Sequence, residues 1–248
     1  MSATPPPQTG AGLFGYLNRR RRDVASWNIE KDAELREMIS AANDGIISSA
    51  AIIQGLLSGG ATGHEAVIGV LALIIIGMVA SAATQYSEVQ SERDAQIRIV
   101  EEEQAALITS PEAEHQELVE IYRKKGLSDE LAHSVATELM ANDPLRAQLD
   151  DEYGLGEIAG RWAPWTAALR SAGAFLVGSA LPLLFLLILP WHIRGEITVV
   201  SVLVALALSG WIGHLVDHSS PWRSMVRTML VGVIILGIST LAGSLVTF

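Results

Sequence analysis

Carboxylates crowd one stretch of this chain. Glu101, Glu102 and Glu103 are followed, after a short break, by Glu112, Glu114, Glu117 and Glu120, and Asp150, Asp151 and Glu152 add a third group. Glu114 and Glu117 stand three residues apart, which puts them on one face of a helix. Carboxylates offered by facing helices make an oxygen-rich cage of the kind hard or borderline divalent cations accept. A solvated acidic surface has the same composition, and spacing alone leaves both readings open.

A second set of polar residues lies in apolar surroundings. Asp44 opens an uncharged run, where it reads either as a helix cap or as a membrane-embedded carboxylate on an ion path. Gln54, Ser81, Thr84 and Gln85 fall within or near the first two such runs, where they line a pore or bond neighbouring helices. His214 and His218, with Asp217 between them, have the i,i+4 spacing of a helical metal pair, but a third ligand is missing and surface histidines fit better. Cys is absent, which excludes disulfides, thiolate metal sites and cysteine nucleophiles. No Ser-His-Asp grouping or nucleotide-binding glycine loop appears, so no enzyme activity and no organic cofactor are expected.

The elements that position these residues follow from where charge is missing. No charged residue or histidine interrupts the runs between Asp44 and His64, Glu65 and Glu88, Arg170 and His192, Glu196 and His214, or the run from Thr228 to Phe248. Each is roughly 17–22 residues, the length a helix needs to cross about 30 Å of hydrocarbon. A chain of 248 residues with 50% hydrophobic and 18% charged residues, and a mean hydropathy of +0.34, suits a bundle of spanning helices with one polar insert. The expected fold is an all-α membrane protein: five transmembrane helices with a cytoplasmic helical bundle between the second and third. The net charge of −10 gathers in that insert, which disfavours nucleic acid and favours cations.

Five segments result. Residues 1–22 read as a flexible tail, 23–41 as an amphipathic interfacial helix, and 42–87 as the first two spans. Residues 88–161 form the acidic cytoplasmic domain, and 162–248 carry the last three spans. Residues 87–108 hold no Gly or Pro, so the second helix is expected to run on past the apolar stretch. Ser110-Pro111, Ser128-Asp129 and Asp143-Pro144 are helix starts, and Gly126 and Gly154 are stops. Arg19–Arg22, Lys31, Arg223 and Arg227 flank one side of the spans and Arg194 alone the other, which places the N-terminus and the acidic domain in the cytoplasm. Trp162, Trp165, Trp191, Trp211 and Trp222 fit interfacial belts. No apolar leader is evident, and the composition points to a prokaryotic plasma membrane.

Several segments together carry a resemblance. Ala41-Ala42-Asn43-Asp44-Gly45-Ile46 opens the first span, and Gln85-Tyr86-Ser87-Glu88 leaves the second. Glu117-Leu118-Val119-Glu120-Ile121-Tyr122, Asp151-Glu152-Tyr153-Gly154-Leu155 and Pro164, Gly178 and Pro182 follow in order. The chain resembles the vacuolar iron transporter family over roughly residues 30–248. That resemblance implies a homodimer in membrane lipid, with a pore between the two first spans. It also implies proton-exchanged export of a divalent cation, ferrous iron or manganese, from the cytoplasm. By the same likeness Asp44, Ser81 and Gln85 occupy pore positions, and Glu103, Glu114, Glu117 and Glu152 match the family's metal-gathering glutamates.

The chain departs from the family at defined points. Where the family usually reads Ser-Met-Ala-X-Gly-Glu-Tyr, this chain has Ala80-Ser81-Ala82-Ala83-Thr84-Gln85-Tyr86; Ala106 stands for a second glutamate, and Gln148 and Leu149 for methionines. A thioether is a soft ligand, and a glutamate carries a charge and a proton that glutamine lacks. Two alternatives therefore stand beside metal export: a transporter of a non-metal, organic or lipid-linked solute on the same scaffold, and a non-transporting membrane scaffold or metal sensor.

Overall fold

The computed structural model describes residues 10–156, 158–188, 194–217 and 220–246. Among them the chain is helical, with eight helices: α1 (Gly10–Ser58), α2 (Gly63–Thr109), α3 (Pro111–Lys124), α4 (Asp129–Asn142), α5 (Pro144–Asp151), α6 (Ala163–Ile188), α7 (Arg194–Asp217) and α8 (Pro221–Leu245). No proline falls between Gly10 and Ser58, and α1 runs unbroken through both. Helix therefore covers Gly10–Arg22, where Pro and Gly content pointed to a tail, and the expected interfacial helix is continuous with the first apolar run. Residues 1–9 lie outside the described residues.

Three helices, α2, α6 and α8, are long and apolar enough to cross a membrane by length and composition. The chain is an integral membrane protein. Two runs expected as spans fall short of that measure. The described apolar part of α7, Val199–His214, is shorter, and Asn43, Asp44 and Gln54 dilute the apolar half of α1.

The chain divides into two compact units, Met1–Thr84 with Ala167–Phe248 and Gln85–Thr166. In the first, α1 is buried on two sides. Ile46 and Ala50 pack with Val202, Leu206 and Leu236 of α7 and α8; Ile53 packs with Ala66, Val70 and Ile74 of α2 and Leu186 of α6. Small residues permit this crowding. A Cβ on Gly178 would strike the carbonyl oxygen of Ala42, and one on Gly243 that of Gly55, so these helices meet backbone to backbone. Ser239 donates to the Ala51 carbonyl between α8 and α1. Helix α1 stops at Gly59-Gly60, where Gly60 takes φ +88°. A capping box then starts α2: Glu65 Oε2 accepts from the Thr62 N–H at 2.6 Å, and Thr62 Oγ1 from the Glu65 N–H.

The second unit is a small bundle of the C-terminal part of α2 with α3, α4 and α5. Its core is Leu118, Val119, Ala132, Ala136 and Ala147; burying Leu118 and Val119 contributes about 1.5–3 kcal/mol each. Pro111 and Pro144 occupy first turns, where the missing N–H is no loss. Ser128 accepts from the Leu131 N–H and Asp143 from the Arg146 N–H, and Gly126 and Gly154 turn the chain at φ +96° and +67°.

Candidate metal-binding site

Four glutamates expected at a metal site come from three separate pieces of the second unit. Glu103 is on α2, Glu114 and Glu117 are on α3, and Glu152 directly follows α5. Glu103 is 4% exposed and Glu114 9%, so two carboxylates are withdrawn from water side by side. Burial is the main force raising the Glu103 carboxyl to about 7; a hydrogen bond to Glu114 and the charges of Glu114, Glu152 and Glu117 add to it. Burial also raises Glu152, with Glu117 and Glu114 adding and the Tyr153 hydroxyl opposing. Tyr153 in turn is pushed up to about 12, first by donating to Glu152. The four expected residues thus feel one another's charge.

Gln148, on α5, is fully buried at the edge of this group. Its Nε2 donates to the Glu114 main-chain oxygen at 2.9 Å and to Glu114 Oε2 at 2.8 Å. Within this group two buried oxygens have no hydrogen-bond partner, Gln148 Oε1 and Glu103 Oε1. Two ionised carboxylates have no proton to share, so the Glu103–Glu114 hydrogen bond exists only when one of them is protonated. A divalent cation meets the same deficit by a different route. Among the described residues no three His, Asp or Glu are already arranged to hold a metal ion.

A frame holds α5 in place. Asp151, whose side chain is 8% exposed, lies 2.5 Å from Lys125 Nζ and accepts from the Tyr122 hydroxyl at 2.6 Å. Elsewhere on the unit, His115 and His133 stack at 5.9 Å, and His115 Nε2 lies 3.0 Å from Thr137 Oγ1. Sequence reading did not pick out this pair, because the two histidines lie on different helices.

The membrane-side candidates are arranged differently. Asp44 is exposed on α1 while the adjoining Gly45 and Ile46 are buried. Ser81 Oγ and Ser171 Oγ are 2.7 Å apart, linking α2 to α6, and Gln85 is buried. Among the described residues no hydrogen bond joins Asp44 to Ser81. Asn43 Oδ1 and Gln54 Oε1, both on α1, are buried without a partner. His214 packs edge-on against Trp211; His218 and Trp191 lie outside the described residues. Trp162, Trp165, Trp211 and Trp222 are exposed, as interfacial residues are.

Comparison with known proteins identifies the family. The profile of the VIT family matches residues 35–244. A vacuolar iron transporter of Acanthamoeba castellanii (strain ATCC 30010 / Neff) is 30% identical over 236 residues, covering 94% of this chain and 84% of that protein. Vacuolar iron transporter 1 of Tulipa gesneriana is 27% identical over 203 residues, covering 81% and 82%. Vacuolar iron transporter 2 of Oryza sativa subsp. japonica is 28% identical over 207 residues, with coverage of 81% and 82%. Three helices are long and apolar enough to span a membrane, and the match covers most of the chain: this protein belongs to the VIT family of membrane transporters.

Proposed function

We propose that the chain exports a divalent metal cation, iron- or manganese-like, from the cytoplasm in exchange for protons. The observation that carries this reading is the gathering of Glu103, Glu114, Glu117 and Glu152 around one another, with Glu103 raised to about 7. A carboxyl balanced near neutral pH takes up a proton or yields it to an arriving cation, which is the exchange a proton-linked metal transporter performs. The four glutamates collect the ion on the cytoplasmic side.

Asp44 is the pore carboxylate. A charge facing hydrocarbon is costly, and intramembrane acids face water or a partner instead. Its exposure on α1 fits a homodimer in which the two α1 helices face each other and enclose the path, with Ser81 and Gln85 flanking it from α2. The apolar half of α1 and all of α7 complete five spans, the acidic unit and N-terminus lie in the cytoplasm, and the membrane is a prokaryotic plasma membrane. Purified protein in proteoliposomes loaded with a metal-sensitive dye tests the reading. Uptake of Mn2+ under an outward proton gradient, lost in Asp44→Ala, is expected; no uptake of Mn2+ or Fe2+ under any gradient contradicts it.

A further inference from the structure

We propose that His115 and His133 form a second metal site, which takes a borderline divalent cation such as Cu2+, Zn2+ or Ni2+ between α3 and α4. It stands apart from the glutamate group and does not rest on the transport reading. The two ring centres are 5.9 Å apart, with the ring planes inclined by 30°. Core packing of Leu118 and Val119 with Ala132 and Ala136 fixes the helices at that spacing. With metal–nitrogen bonds of about 2.0–2.1 Å and angles from tetrahedral upward, two imidazoles on one ion stand roughly 5–6 Å apart. The fold therefore already holds the rings at the span a shared cation needs. Both side chains are half-buried, and modest turns about the last torsion, which is broad in histidine, aim both rings at one ion.

A short relay of hydrogen bonds sets which nitrogen His115 presents. Thr137 Oγ1 donates its single proton to the His133 main-chain oxygen at 2.8 Å. It is left to accept from His115 Nε2, 3.0 Å away, so Nε2 carries the hydrogen and Nδ1 of the neutral ring is bare. Metal-binding histidines are arranged in this way: one nitrogen donates to a fixed acceptor, and the other meets the ion. Two nitrogens leave the remaining coordination positions to water, which the half-exposed setting supplies. Imidazole suits Cu2+, Zn2+ and Ni2+, whereas carboxylates suit harder ions such as Mn2+. The unit thus offers two kinds of donor, oxygen at the glutamates and nitrogen at this pair. An ion bound at the pair ties α3, which carries Glu114 and Glu117, to α4.

The test is electron paramagnetic resonance of Cu2+ added to the full-length protein in nanodiscs. Nitrogen splitting separates imidazole ligands from carboxylates, so Cu2+ held by the glutamates does not imitate the pair. The wild type is expected to show splitting from two ring nitrogens. His115→Asn and His133→Asn are each expected to lose that pattern and to weaken Cu2+ binding by about tenfold or more, since even the loss of a ligand's orienting partner costs that much. His214→Asn, a change on α7, is expected to keep the pattern. Thermal melts without metal establish that each variant is folded. A wild type without nitrogen splitting means that the rings merely stack, and it overturns the proposal. A two-nitrogen pattern that survives either substitution at the pair, or that disappears with His214, overturns it equally.

Discussion

Tyr122 donates its phenolic proton to Asp151 Oδ2 at 2.6 Å, tying the C-terminal turn of α3 to the last residue of α5. Lys125 holds the other oxygen of the same carboxylate. Asp151 thus links the helix carrying Glu114 and Glu117 to the one carrying Gln148. Asp151→Ala leaves the Tyr122 hydroxyl without this acceptor in a partly buried place, at a cost of about 1–3 kcal/mol. The Lys125 contribution is smaller because that side chain is well exposed. Thermal denaturation of the second unit's signal should show the loss, and Mn2+ should bind more weakly in the same variant. Unchanged affinity would mean that the frame does not position the site.

The raised Glu103 carboxyl makes stability depend on pH. Its ordinary value is 4.5 and its folded value about 7. Between those limits the folded protein holds a proton that the unfolded chain has released, so this group's contribution to metal-free stability is fully present below about 4.5 and is lost as pH rises through 7. Glu103→Gln stays neutral throughout; its metal-free melting temperature should fall less between pH 5.5 and 7.5 than that of the wild type. Mn2+ affinity of the wild type should move the opposite way, tightening as pH rises through 7 and the proton leaves. Parallel melting curves for the two proteins would refute the assignment.

The membrane unit depends on glycines that let backbones touch. Gly178→Ala places a methyl group against the Ala42 carbonyl oxygen, which only movement of α6 away from α1 can relieve, at about 1–3 kcal/mol. Gly237→Ala is the control. It lies in α8 with nothing within 4 Å of the added carbon, and the better helix former should leave stability unchanged or raise it by up to about 1 kcal/mol. Detergent melts should show a lower midpoint for Gly178→Ala and an unchanged or higher one for Gly237→Ala.

Asp44→Asn separates collecting from conducting. The variant should bind Mn2+ at the glutamates as the wild type does and yet fail to carry it across a proteoliposome. Transport at the wild-type rate would remove Asp44 from the path.

Much of this organisation is legible in the chain because its causes are local. Uncharged runs of span length and the starts at Ser110-Pro111, Ser128-Asp129 and Asp143-Pro144 each act within a few residues. The continuity of α1 was not legible: Pro5–Pro7 and two nearby glycines suggest a tail, yet nothing after Gly10 forbids helix. The gathering of Glu103 with Glu152 was reached only through resemblance, because tertiary packing brings together residues far apart in sequence. The sequence marks Gln148 only as standing where the family carries methionine; its full burial and its hydrogen bonds to Glu114 arise from tertiary packing.

The central claim is that the four glutamates hold a divalent cation. Mn2+ bound per protomer, measured by equilibrium dialysis of the full-length protein at pH 7.5, tests it most directly. The wild type should retain Mn2+, and Glu114→Gln combined with Glu103→Gln should lose it while keeping its helical signal; equal retention by the two proteins would contradict the account.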